Sequence, residues 1–132
     1  MIDLTGWPHR WYGRWKEEVD AHADDASIHD VVDSEWDAQE LKRVIAYLES
    51  GVMAIASPGI VESLLDPAKI IGTPSWKTDG VWLWTDTLAY YLSVHTVRLP
   101  PAFVSHIRDN GYRVPPVGDD ALKGLDWPMP KP

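Results

Sequence analysis

Apolar residues recur with a helical period in some parts of the chain and cluster into short strand-like runs in others, and this alternation predicts an α+β fold. The clearest helical pattern places apolar side chains at i, i+3, i+4 and i+7, at Leu41, Val44, Ile45 and Leu48. Ser34 is a suitable N-cap, with Asp37 three positions later, and Gly51 suits the C-terminal end. We therefore predict a helix between Ser34 and Gly51 whose apolar face packs on the core.

A second helical pattern is formed by aromatic residues near the start of the chain. Large apolar side chains lie four residues apart, at Trp7, Trp11, Trp15 and Val19. Pro8 would occupy a first helical position, and the spacing predicts a helix over residues 8–21. Arg10 and Arg14 alternate with the tryptophans, so two interpretations stay open: a stripe buried in the core, or a partner surface with cation–π contacts.

Short apolar runs predict the strands of a sheet. The runs "VMAIA", "IVESLL", "KII" and "VWLW" are separated by segments that contain proline or glycine. They predict a small antiparallel β-meander of about four strands, with "VMAIA" buried, packed by about four helices. In "VWLW", Val81 and Leu83 would face one side and Trp82 and Trp84 the other, which predicts a central strand in an aromatic core rather than a ligand site.

Two further helices are predicted after the "VWLW" strand. The first has a shared face formed by Leu88, Tyr91, Leu92 and His95. The second is "PAFVSHIRDNG", with Phe103 and Ile107 facing inward. We assign residues 1–114 to a single α+β domain and the proline-rich residues 115–132 to an extended C-terminal tail, with Trp127 as the side chain that could hold the tail to the domain.

The block "TDGVWLWTDTLAYYLSVHTVRLPPAFVSHI" combines a "TDG.W.W" strand, an aromatic helix and an "HxVRLP..F" connection. It resembles a block in small, mostly uncharacterised bacterial proteins, and the resemblance covers residues 60–107. The resemblance implies a shared fold unit and a bacterial source. It implies no catalytic role.

The composition, with 45% apolar and 24% charged residues, is typical of a globular protein. The absence of cysteine removes disulfides, thiol nucleophiles and cysteine-bound zinc. The chain has no run of 18 apolar residues, and its first residues lack the basic start and apolar stretch of a secretory signal. We therefore expect a cytoplasmic protein that does not enter a membrane.

The negative charge is confined to one part of the chain. Residues 41–132 carry nine acidic and nine basic side chains, so the net charge of −8 belongs to the first forty residues. Residues 17–40, here called the acidic segment, contain no lysine or arginine and ten carboxylates: Glu17, Glu18, Asp20, Asp24, Asp25, Asp30, Asp33, Glu35, Asp37 and Glu40. Such a segment disfavours direct binding to nucleic acid or to an anionic membrane, since both require a basic surface.

No motif in the sequence predicts catalysis, and we expect no catalytic residue, no cofactor and no metal. The segments "DAHADD" and "IHD" do supply hard or borderline metal ligands, at Asp20, His22, Asp24, His29 and Asp30, but without a metal-binding spacing. A small metal-dependent hydrolase that uses Asp20, His22, His29 and Asp30 is therefore kept as an alternative. His95 and His106 lie near apolar helix faces and are expected to be half-buried and hydrogen-bonded.

An acidic surface on a small protein without catalytic motifs is typical of an inhibitor that occludes a basic cleft. Our first hypothesis is a bacterial immunity or antitoxin-type protein whose partner is a toxin or another enzyme with a basic cleft. Trp36 would be the aromatic anchor of the contact, because tryptophan often dominates binding energy at interfaces. The predicted partner-binding residues are Glu17, Glu18, Asp20, Asp24, Asp25, Asp30, Asp33, Glu35, Trp36 and Asp37. An accessory protein-interaction domain is a further alternative.

Overall fold

A computed structural model of the protein describes residues 4–128. The strands are β1 (Trp11–Tyr12), β2 (Val52–Ile55), β3 (Val61–Glu62), β4 (Ile70–Gly72), β5 (Trp76–Thr78) and β6 (Leu83–Thr85). The helices are α1 (Ala38–Glu49), α2 (Leu88–His95), α3 (Pro101–Asp109) and α4 (Asp119–Lys123), and a 3-10 turn spans Ile28–Asp30. The predicted α+β class, with a small sheet and about four helices, is confirmed.

The main sheet has four strands in the order β1-β6-β5-β2. β6 pairs antiparallel with β5 and parallel with β1, and β5 pairs antiparallel with β2. β3 and β4 form a separate antiparallel hairpin. Two of the four predicted strands, β3 and β4, therefore lie outside the main sheet. The main sheet contains β1 and β5 instead, and the sequence pattern predicted neither of these strands.

β6 lies between two strands and is covered on both faces, as predicted, but Val81, which was predicted to share the side of Leu83, lies before the strand and is 40% exposed. Trp82 and Trp84 belong to the main core, where the Trp82 ring stacks on that of Phe103 at 4.5 Å between centroids. Leu83 faces the other side and packs with Trp11 in a second, smaller core. Trp82, Leu83 and Trp84 therefore belong to the core, as predicted.

The predicted helix over residues 8–21 is wrong. Gly13 has a φ of +109°, which no residue in a right-handed helix adopts, and a Cβ added there would lie 2.5 Å from Thr85 Oγ1. Trp11 packs in the second core and Trp15 in the main core, on opposite sides of the sheet, whereas Val19 is fully exposed. The interpretation of Trp11 and Trp15 as core residues is correct. They are positioned by strand β1 and the turns that follow it, and not by a helix.

Helix α1 packs its predicted apolar face on the core, with Val44, Tyr47 and Leu48 buried. Its N-cap is Asp37 rather than Ser34, since the Asp37 carboxylate accepts a hydrogen bond from the Glu40 amide at 2.9 Å. The helix therefore starts three residues later than predicted. Helices α2 and α3 bury the predicted inward-facing residues, among them Leu88, Tyr91, Leu92, Phe103 and Ile107.

The prediction that "VMAIA" is a buried strand is wrong. β2 is an edge strand, and Val52, Met53 and Ile55 are each more than 40% exposed. The C-terminal segment also differs from an extended tail, because it contains α4 and returns to the second core. Leu125 is buried there, Trp127 packs against it, and the Asp126 carboxylate accepts a hydrogen bond from the Arg10 amide at 3.3 Å.

Candidate functional site

The acidic segment runs from the turns after β1, through the 3-10 turn, to the first turn of α1. The structure divides its carboxylates into two groups. Six accept hydrogen bonds from other parts of the protein: Glu17, Glu18, Asp24, Asp25, Asp37 and Glu40. These six therefore hold the fold together, although the sequence hypothesis assigned five of them to partner contact.

Asp25 is the most deeply buried of the six, at 5% exposure. Its Oδ2 lies 3.0 Å from Nε of Arg14, which is 6% exposed, and accepts a second hydrogen bond from the His22 amide at 2.7 Å. Burial raises the pKa of Asp25 against the lowering effect of these two partners. Asp25, which the sequence hypothesis assigned to partner contact, is thus buried within the protein, and the cation that compensates it comes from outside the acidic segment.

Glu17 and Glu18 brace the turns that follow β1. Glu17 accepts hydrogen bonds from Ser27 Oγ at 2.5 Å and from the Ile28 amide at 2.9 Å. Burial opposes ionisation of Glu17, but these bonds together with the nearby charge of His29 lower the pKa. Glu18 accepts from the Trp15 amide at 2.6 Å, and burial raises the pKa of Glu18 to about 7.

The remaining four carboxylates, Asp20, Asp30, Asp33 and Glu35, are here called the free carboxylates. All four are exposed, and within residues 4–128 none of their side chains accepts a hydrogen bond. Asp20 lies 3.8 Å from Nη1 of Arg14 and is 71% exposed. The backbone of Asp33 has a φ of +57° and donates to the carbonyl of His95, so its side chain is carried outward on a fixed turn. These four are the charges of the segment that a partner can reach without disturbing the fold.

A groove with a volume of about 300 Å³ lies where the acidic segment meets α3. Its walls include Glu35, Trp36, Asp37, Glu40, Arg98 and Arg108. Trp36 is half-buried, and its Nε1 donates to the Val97 carbonyl at 3.1 Å. The predicted anchor is thus fixed within the protein, and one side of it lines the groove.

Glu40 is one of the residues that line this groove. Nε and Nη2 of Arg108 donate to its two oxygens at 2.6 and 2.7 Å, and the Tyr112 hydroxyl donates at 2.6 Å. The bonds from Arg108, and then that from Tyr112, lower the pKa of Glu40 to about 2. Glu40 is therefore ionised at neutral pH, and both of its oxygens already accept hydrogen bonds from Arg108 and Tyr112. It fixes these side chains at the groove and does not offer a free charge to a partner.

A buried polar cluster that the sequence did not predict lies around Asp79, at the turn between β5 and β6. Asp79 Oδ2 accepts from the Tyr47 hydroxyl at 2.5 Å and lies 2.9 Å from His106 Nε2. Its Oδ1 accepts from the amides of Val81 and Trp82. With both oxygens occupied, Asp79 joins the turn to α1 and α3. The "TDG" tripeptide was the signal that could have indicated it, because aspartate before glycine often bonds its own turn.

The two histidines near apolar helix faces have different surroundings. His106 is half-buried and hydrogen-bonded to Asp79, as expected. The side-chain Nδ2 of Asn110 also lies 3.3 Å from His106 Nε2. His95 is half-buried too, but its Nε2 is buried without a hydrogen-bond partner among residues 4–128. The expectation is therefore met at His106 and not at His95.

The metal-ligating side chains named from the sequence are only partly brought together. His22 and Asp24 lie close to each other and to His9, which sequence reasoning missed. In the described part of the chain, Asp20, His29 and Asp30 join no group of three or more possible ligands. The alternative site built from Asp20, His22, His29 and Asp30 is therefore not assembled in this fold.

Comparisons with protein-family models, with curated proteins and with solved structures found no match to the chain. Within residues 4–128, no helix is both long and apolar enough to cross a membrane. The arguments for function therefore depend on the acidic segment and its groove.

Proposed function

We propose that this is a bacterial immunity or antitoxin-type protein of the cytoplasm, which binds a cognate toxin enzyme and occludes its basic cleft. The observation that carries the proposal is the set of free carboxylates, Asp20, Asp30, Asp33 and Glu35, which are exposed and accept no hydrogen bond within residues 4–128, although Asp20 lies 3.8 Å from Arg14 Nη1. Exposed charges of one sign repel each other and destabilise the free protein, and a basic partner relieves this repulsion. The same field accelerates association with a cleft lined by lysine and arginine.

The contact surface is narrower than the whole acidic segment. Glu17, Glu18 and Asp25 are engaged with the turns after β1, so substituting them would change the stability of these turns as well as any binding. The free carboxylates instead provide long-range attraction. Their high exposure limits what each contributes to affinity, so their main effect is on the association rate.

The groove supplies the short-range part of the contact. Glu35 and Trp36 lie together on its wall, and the indole is held by its bond to Val97. A lysine or arginine of the partner can place its cationic group over the Trp36 ring and near Glu35, which combines a cation–π contact with an ion pair. In this proposal Trp36 is a preordered receptor for a partner side chain and does not insert into the partner.

The test compares two variants that carry the same change in net charge. The first replaces the free carboxylates: Asp20→Asn, Asp30→Asn, Asp33→Asn and Glu35→Gln. The control replaces four exposed carboxylates elsewhere: Glu49→Gln, Glu62→Gln, Asp109→Asn and Asp119→Asn. The partner is recovered by affinity purification from the source bacterium, and its association with each variant is followed by stopped-flow fluorescence from low to physiological salt.

We expect wild type and the control to associate rapidly at low salt and to slow as the Debye length falls to about 8 Å. The first variant should associate at least tenfold more slowly at low salt and lose most of its salt dependence. Saturating wild-type protein should also abolish the activity of the recovered enzyme. If the two variants slowed association equally, only the net charge of the protein would matter and not the position of the free carboxylates. If the recovered enzyme stayed active when saturated with wild-type protein, occlusion of its cleft would be refuted.

A further inference from the structure

We propose that His9, His22 and Asp24 form a binding site for one divalent transition-metal ion of the zinc type. Each side chain offers a ligand atom, and these three atoms lie within 4.8 Å of one another. Two imidazole nitrogens and one carboxylate oxygen form a donor set that zinc accepts readily. The site is independent of the proposed toxin contact, because it is built on different side chains and needs no partner.

Two of the three distances between the ligand atoms are close to those that a tetrahedral ion requires, and the third, between the two histidines, is at most 4.8 Å. Nε2 of His9 is 2.7 Å from Oδ2 of Asp24, and Nδ1 of His22 is 3.8 Å from the same oxygen. Ligand atoms bound at about 2.0–2.1 Å to a tetrahedral zinc ion lie roughly 3.3 Å apart. One of these two separations must therefore open and the other close by about half an ångström when an ion binds.

The two imidazoles are positioned by a buried tryptophan. The ring of His9 stacks on that of Trp11 with 4.3 Å between centroids, and the ring of His22 meets the same indole edge-on at 5.1 Å. Trp11 is itself buried in the second core. The His22 backbone is fixed as well, since its amide donates to the Asp25 carboxylate at 2.7 Å. The folded chain thus orders two of the ligands before an ion arrives.

Access to the site is open on one side. The His22 side chain is 9% exposed, whereas those of His9 and Asp24 are 21% and 44% exposed. An ion can enter from solvent past Asp24, and a water molecule can complete the four-coordinate shell. The ion would connect the segment before β1, which contains His9, to the acidic segment, which contains His22 and Asp24. These two segments precede and follow Trp11 in the sequence.

At least two existing hydrogen bonds must be given up on binding, and the first joins His9 Nε2 to Asp24 Oδ2 at 2.7 Å. His22 Nδ1 accepts from the Asp24 amide at 3.0 Å, and this lone pair is the one that the ion would use. Asp24 lies in an exposed turn, so its amide can bond to water instead. Zinc, cobalt and nickel ions, which bind imidazole strongly, should therefore occupy the site, whereas magnesium and calcium should not, because they prefer oxygen ligands.

The experiment uses tag-free protein stripped with a chelator. Zinc affinity is measured by competition with a chromophoric chelator, and the visible spectrum of the cobalt(II) form reports the coordination geometry. The ligand variants are His9→Gln and Asp24→Asn, and the matched controls are His29→Gln and Asp30→Asn, in the same segment and outside the cluster. Circular dichroism and urea unfolding confirm that each variant is folded.

We expect the wild-type chain to bind one zinc ion, with an intense cobalt spectrum typical of four-coordination and no response to magnesium. Each ligand variant should lose at least about tenfold in zinc affinity and the intense cobalt bands, while the controls match wild type. Failure of the folded wild-type protein to compete for zinc would overturn the proposal. So would folded Asp24→Asn protein that binds as wild type does, or control variants that weaken binding as much as the ligand variants.

Discussion

Replacing Asp25 by asparagine tests whether the acidic segment is part of the core. The change leaves the Arg14 guanidinium buried without its closest carboxylate, and removing one partner of a buried pair costs about 3–5 kcal/mol. The Asp20 carboxylate at 3.8 Å and the ring faces of Trp11 and Trp76 within 6 Å still favour the cation. We therefore expect a loss of about 2–4 kcal/mol in the free energy of unfolding, which for this chain lowers Tm by roughly 10 °C.

Urea unfolding followed by tryptophan fluorescence measures this loss. Asp30→Asn is the matched control, because Asp30 lies in the same segment but is exposed and accepts no hydrogen bond within residues 4–128; it should stay within about 0.5 kcal/mol of wild type. The double variant Asp25→Asn with Arg14→Met removes the buried guanidinium charge together with its carboxylate partner. Its loss of unfolding free energy should therefore be smaller, by about 1–3 kcal/mol, than the sum of the losses in the two single variants.

The reasoning would be refuted if Asp25→Asn were as stable as Asp30→Asn. It would also fail if the double variant were additive, since the two side chains would then not be coupled.

Two further predictions concern the core and the pH dependence. Trp82→Ala removes a 3% exposed ring that stacks on Phe103 and should destabilise the protein by about 3–5 kcal/mol in urea unfolding; a fully stable variant would contradict the assignment of this block to the core. Glu18 has a pKa raised to about 7, so its protonated form stabilises the fold below about pH 4.5 and that contribution is lost as pH rises through 7. Glu18→Gln should therefore exceed wild type in stability by about 1–2 kcal/mol at pH 8 and match it at pH 4.5, whereas equal curves across this range would show that Glu18 is not desolvated.

Elements with a strong local pattern were predicted well from the sequence. The i, i+3, i+4, i+7 spacing in α1 and the alternation in β6 each describe a face that must be buried, and the structure buries those faces. Such patterns depend on side-chain direction within one element, which the backbone geometry determines. Only the start of α1 was misplaced, because Ser34 and Asp37 are both good N-caps and their surroundings decide between them.

The N-terminal strand and the edge strand show where local patterns fail. The spacing of Trp7, Trp11 and Trp15 suits a helix, but β1 forms because β6 offers a parallel partner 72 residues away in the sequence. "VMAIA" reads as buried because its residues are apolar, yet β2 lies at the sheet edge. Strand order depends on contacts between distant segments, and no window of sequence contains that information.

The acidic segment shows the same division at the candidate site. The number of carboxylates, their confinement to residues 17–40 and the absence of lysine and arginine there are properties of the sequence alone. Which of them are free was decided only by the tertiary structure, which brings Arg14 to Asp25 and Arg108 to Glu40 from outside the segment. A charge count is additive along the chain, whereas the environment of each charge depends on the groups that folding places within a few ångströms of it.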